Sequence, residues 1–436
     1  MEGLTRLTLS KAENNTDGFV YAASFTRDPP FSEGGYSLPL EPQVLPSLSV
    51  AERSLLFHFA NEATRVTCCN SNIQTELCQL VIPMAAEVPS LMYATLAWSA
   101  IHSMAFGRHV DTVHDLPYLI ATLKTKSIEH LRREIQNPDE GKIDALLATV
   151  RTLCQSEIHL GSDGDSAWRV HVKGAKALME AIKRSNSSIC SRSRLLCRWY
   201  TTIESLAALT PSIQAPAQKP PLDEVPESVY LDDYNGYSTD LSYLLGKIGL
   251  IAELNSRSRT QVTGEALEAQ ADEFEKAVYH IMERDNNQIP VFYPGVAEKL
   301  SRRDIVDYSL CNQAYQYTAL IHIQRRLRKL APTTPVVQQS VKQIIKISQA
   351  ITMDYGLSPA IVLTTPVFTA GCEALGEDRT AIRELLSRLH NKLRIRNIKL
   401  ALDVLEDHWV DEKHDGDWRN LLRWSYFFKG LTLLTS

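Results

Sequence analysis

"DALLATVRTLCQSEIHLGSDGDSAWRVHVKGAKALMEAI" occupies residues 144–182, and its spacing decides the fold class. Leu146, Leu147, Val150, Leu153, Cys154 and Ile158 recur at steps of three and four, which puts them on one stripe of an α-helix. After a break rich in Gly, Ser and Asp, Trp168, His171, Val172, Ala175, Leu178, Met179 and Ile182 repeat the pattern. Helices are therefore predicted over 141–160 and 166–184.

The same period runs outward in both directions. "SVAERSLLFHFANEA" begins with a Ser cap at Ser49, has Glu52 close behind, and buries Leu55, Leu56 and Phe59. Further helices are expected near 84–106, 114–136, 192–209, 238–255, 265–284, 302–330, 335–354, 378–390, 393–410 and 416–433. Convincing runs of strand alternation are missing, so the expected class is all-α. The expected architecture is a single large bundle-like helical domain over 49–436 behind a polar arm, 1–48. One irregular crossing interrupts it, residues 210–237, where Pro211, Pro216, Pro220, Pro221 and Pro226 remove backbone donors and break helices.

With 436 residues, 44% of them hydrophobic and 22% charged, the chain can bury a core large enough to enclose a ligand. A net charge of -5 argues against a nucleic-acid surface spread over the whole molecule. The densest basic stretch, "QRRLRKL" at 324–330, reads mostly as a solvated helix face. The N-terminus has no apolar run of the secretory kind, and "VPSLMYATLAWSAIHSMAF" suits a buried helix better than a membrane span. None of the eight cysteines forms a C-x-x-C pair, so they read as small core hydrophobes of a reducing compartment.

Few residues announce chemistry. Glu157 falls inside an apolar stripe, where a carboxylate needs a partner: an ion pair or cap, or else a metal or a pocket. His171 lies on the next apolar face and reads as a hydrogen-bonded core histidine. Asp163 and Asp165 precede that helix as dipole-favoured acids or magnesium ligands, and Arg169, Lys173 and Lys176 flank it where they could bracket an anion. Lys247 and Tyr243 share a second face of the 238–255 helix, facing solvent or, if that helix lines a cavity, gripping a phosphate. Asp232 and Asp233 are paired carboxylates without a D-D-x-x-D pattern. No P-loop, G-x-G-x-x-G, H-E-x-x-H or G-x-S-x-G occurs.

Four stretches together resemble the helical regulatory domain of fungal zinc-cluster transcription factors. They are "LVIPMAAEVPSLMYATLAWSAIHSM", "TPVFTAGCEA", "NIKLALDVLEDHWVDEKHDGDWRNLL" and "SEIHLGSDGDSAWRVHVKGAKALMEAI", residues 156–182. The last is similar to the family's "E-G-W-H-L-G-A" signature through Glu157, Gly161, Trp168, His171, Gly174 and Ala175, with Val172 in place of Leu. The family's six-cysteine DNA-binding cluster has no counterpart in this sequence, so direct nucleic-acid binding is not expected. In size and all-helical character the chain is also similar to the atypical sesquiterpene cyclases, the humulene synthases, of fungal tropolone-sesquiterpenoid pathways.

That second resemblance implies a cytoplasmic lyase acting on farnesyl diphosphate. Glu157, Asp163 and Asp165 would hold Mg²⁺ against the diphosphate. Lys247 would stabilise the leaving group, with Arg169, Lys173 and Tyr243 as further substrate contacts. Trp98, Trp199 and Phe106 join Tyr243 as candidate walls of a cation-shielding pocket. The alternative is a regulator or ligand-binding protein of nuclear location, acting without its own DNA-binding module.

Overall fold

The computed structural model describes residues 48–108, 115–136, 142–160, 167–184, 194–209, 228–257, 264–353 and 357–410; at 167–170, 181–184, 256 and 257 only the backbone is described. Fourteen α-helices make up these residues, and the one β-type pairing among them is an isolated bridge between Leu231 and Ser238. The all-α expectation holds.

Helix α1, Val50–Asn61, opens with the expected capping box: Ser49 accepts from the Glu52 N–H, and the Glu52 carboxylate accepts from the Ser49 N–H at 2.8 Å. The expected helix over 84–106 is instead two helices, α2 at Ser71–Glu87 and α3 at Pro89–Ala105. Val88 is extended between them, because the residue before a proline is pushed out of the helical region. Pro89 then starts α3 at the one place where a missing N–H costs nothing. Next come α4 (Leu116–Gln136), α5 (Ile143–Leu160), α6 (Ala167–Arg184) and α7 (Arg194–Leu209). Helix α3 is central here, packing on α1, α2, α4 and α5.

The second half holds α8 (Thr239–Arg257), α9 (Gly264–Asn287), α10 (Arg302–His322), α11 (Pro335–Ala350), α12 (Thr364–Glu373), α13 (Glu377–Leu393) and α14 (Arg396–Val410). Helix α10 serves two apolar centres. Ala319 and Leu320 join Leu241, Leu245, Ile248 and Val278 of α8 and α9, while Cys311 and Ala314 join Ile344, Val367, Leu386 and Leu405 of α11 to α14. Helix α8 approaches α7 closely enough that a Cβ at Gly249 would stand 2.2 Å from the Ala208 carbonyl oxygen.

Several sequence expectations are corrected. The 302–330 helix ends its α-turns at His322 and continues as a π-turn over Ile323–Leu327, with the Arg328 N–H reaching back to Ile323 O at 3.0 Å. "QRRLRKL" is not a solvated face. Arg325 is buried against Glu373 at 2.8 Å, Arg326 donates to Leu209 O at 2.7 Å, and Arg328 gathers Glu268, Asp272 and Glu275 of α9. Helix α12 was not foreseen as a helix, since its ten residues show no clean polar face. The arm, the 416–433 helix and 210–227 of the crossing lie outside the described residues.

Candidate functional site

The most unusual chemistry lies in the seam between α3 and α5. Arg151 of α5 is fully buried, with the Tyr234 phenol as a hydrogen-bond partner. Its guanidinium sits 5.9 Å from the Trp98 ring centroid, and burial raises the Tyr234 pKa against the opposing charge and hydrogen bond of Arg151. Along the same seam, Thr95 Oγ1, Trp98 Nε1, His102 Nε2 and His159 Nε2 are buried with no hydrogen-bond partner among the described residues. The His159 ring lies 5.8 Å from that of Trp98, and His102 meets His58 at 2.9 Å between ring nitrogens. Burial lowers the His159 pKa to about 4, and burial followed by the neighbouring charges of His58, His159 and Arg108 lowers that of His102 to about 2. Both rings are therefore neutral near pH 7.

The expected site residues are placed as follows. Glu157, six residues beyond Arg151 and buried, receives Lys124 Nζ of α4 at 2.6 Å, so of the readings open to it the structure supplies the ion pair. His171 is half-buried and its pKa falls to about 4 through burial, opposed by the Glu157 charge. Lys173 is exposed. Lys247 lies over the Tyr243 ring at 4.5 Å, both half-buried on α8, a cation–π pair within one helix. Helix α5 packs on α3, α4, α6 and α7, whereas α8 packs on α7, α9 and α10. Asp163, Asp165 and the Arg169 side chain lie outside the described residues. Among the described residues, no three His, Cys, Asp or Glu side chains are grouped to hold a metal. Trp98 and Trp199 are core residues, and Phe106 is partly buried against the α10–α14 centre.

Asp232 and Asp233 are structural. The Arg198 Nε reaches the two Asp232 oxygens at 3.1 and 3.2 Å, and Nη2 reaches Asp233 Oδ1 at 2.5 Å. Burial opposes the Arg198 charge, but the two carboxylates outweigh it and raise its pKa. Asn70 caps α2 and donates to Tyr308 at 2.8 Å, while Tyr308 donates to Asp233 O at 2.8 Å. The 228–238 segment is thereby fastened to α2, α7 and α10. A surface cleft beside it carries Arg284, Asp285 and Asn312, but these satisfy one another: Asp285 accepts from Asn312 at 2.6 Å and pairs with Arg284 at 2.7 Å.

The chain matches the family model described as the fungal specific transcription factor domain over residues 54–429. It belongs to that family. No curated protein and no solved structure matches it.

In this transcription factor domain the resembling stretches fall on defined elements: the end of α2 with α3, α5 with α6, α12, and α14. Of the signature residues, Glu157 lies on α5 and Trp168, His171, Gly174 and Ala175 lie on α6, while Gly161 lies outside the described residues. Sequence reading missed Arg151, although the signal was present. It stands four residues after Leu147 and three before Cys154, inside the same apolar stripe that drew attention to Glu157. Among the described residues no helix is long and apolar enough to cross a membrane.

Proposed function

We propose that the chain acts as the regulatory domain of a fungal transcription factor, a helical body through which a bound ligand or partner sets transcriptional output. The family match over 54–429 carries this reading. It implies work in the nucleus. The domain would need two states that an input can bias, since binding without differential affinity shifts nothing.

The test fuses the whole chain to an unrelated DNA-binding module upstream of a reporter in a fungal host. The expected result is a reporter level several-fold above or below that of the module alone at equal protein abundance. A fusion indistinguishable from the module alone overturns the reading. No observation favours the cyclase expectation. Incubating the purified chain with farnesyl diphosphate and Mg²⁺, then looking for hydrocarbon above a boiled control, decides it directly.

A further inference from the structure

We propose that the cleft between the 228–238 segment, the end of α9 and the 309–313 face of α10 binds a small uncharged molecule. The guest is a compact apolar body carrying one hydroxyl or carbonyl, held through Ser238. The proposal gives a ligand class to the regulatory reading and rests on it for what binding would accomplish.

The walls of this cleft are fixed by contacts of their own, as in a pre-formed site. Leu231 N–H donates to Val291 O at 2.7 Å, and the Tyr230 and Tyr293 rings stack at 4.6 Å, which holds those two stretches together. On the α10 side, Asn312 Oδ1 accepts from the Ser238 N–H at 2.9 Å and so fixes Ser238 in place. The cleft encloses about 130 Å³, close to a cavity that admits a single benzene. That size suits one small molecule and not a stretch of peptide.

The polar groups decide the charge of the guest. Asp285 Oδ1 accepts from Arg284 Nε and Nη2 at 2.8 and 2.7 Å, and Oδ2 accepts from Asn312 and Gln316 at 2.6 and 2.8 Å. Four donors fill the lone pairs of one carboxylate, so a cationic guest finds no open acceptor there. Arg284 is shared between Asp285 and Asp240, two carboxylates against one guanidinium, and the excess negative charge disfavours an anion. Neutral groups remain. Ser238 lines the cleft, is 2% exposed, and its Oγ has no hydrogen-bond partner among the described residues. A hydroxyl donates once and accepts twice, which matches an alcohol, a phenol or a carbonyl.

The mouth is apolar. Val229, Ile289 and Val291 line it and are 37%, 86% and 59% exposed, so three β-branched side chains stand in water around one opening. Covering them with the body of the guest is favourable in proportion to the apolar area removed from water.

Saturation-transfer NMR on the purified full chain tests this with phenol, benzyl alcohol, cyclohexanol and isobutyramide as probes. Benzoate and benzylammonium, of similar size and opposite charge, are the controls. At least one neutral probe is expected to bind saturably with a Kd of about 1 mM or below, and both charged probes about tenfold more weakly. Ser238→Ala, which deletes only the hydroxyl, should weaken the best neutral probe about tenfold. Gln313→Trp should abolish binding by filling the cleft from α10, and serves alone if Ser238→Ala does not fold. The proposal is overturned if no neutral probe binds, if either charged probe binds as tightly as the best neutral one, or if either folded variant leaves binding unchanged. The reporter fusion is read without any added probe, so failure here and failure there can be told apart.

Discussion

Lys124 Nζ lies 2.6 Å from Glu157 Oε1 and ties α4 to α5 at the one acidic position of an apolar stripe. The Glu157 side chain is 5% exposed and that of Lys124 is 20% exposed, so the pair is only partly screened by water. Lys124→Met removes the cation and leaves the carboxylate in the core, a loss expected at about 2–4 kcal/mol in urea unfolding. Glu157→Gln, which removes the charge that needs company, should cost less. Equal losses would mean that the pair acts through packing alone.

Arg198 anchors two buried aspartates, so its replacement and theirs should not be equivalent. Arg198→Met strands both carboxylates and is expected to cost about 3–5 kcal/mol. Asp232→Asn leaves Arg198 with Asp233 and should cost clearly less. A double-mutant cycle that returns no coupling between positions 198 and 232 would contradict the fastening of the 228–238 segment.

The buried histidines set a pH dependence of stability. In the unfolded chain they titrate near 6.5, whereas in the fold His159 is lowered to about 4 and His102 to about 2. Between these values the unfolded state binds more protons, so stability falls as pH drops from about 6.5 towards 4 and is fully present above. Each of these two histidines contributes a slope of up to about 1.4 kcal/mol per pH unit in that window. His159→Gln should flatten the profile measured by denaturant unfolding between pH 4 and 7. An unchanged slope would show that the ring is charged in the fold.

Two helix glycines should respond with opposite sign to alanine. At Gly249 the new Cβ would collide with the Ala208 carbonyl, so Gly249→Ala should destabilise by about 1–3 kcal/mol as α7 and α8 are forced apart. At Gly174 on α6 a Cβ meets nothing within 4 Å, so Gly174→Ala should stabilise by about 0.5–1 kcal/mol through helix propensity. Melting temperatures of the two variants check both signs.

Apolar spacing at three and four residues determined the helices by itself, because a helix that must bury one face writes its period into the chain. Capping chemistry determined the start of α1, a purely local event. Local pattern also marked Glu157 as a carboxylate in need of a partner. It could not name Lys124, which lies 33 positions earlier and meets Glu157 only when α4 packs on α5. The split between α2 and α3 was legible in the Val88–Pro89 step, yet the continuous apolar run across it masked the boundary. "QRRLRKL" shows the opposite limit. Charge alone suggests water, but Glu373 of α12 takes up the buried Arg325 and the acids of α9 take up the partly buried Arg328. Only the tertiary structure decided which neighbour answers each buried charge: Asp232 and Asp233 at Arg198, and Lys124 at Glu157. A partner is a matter of distance in space, and one sequence read along its length carries no distances between helices.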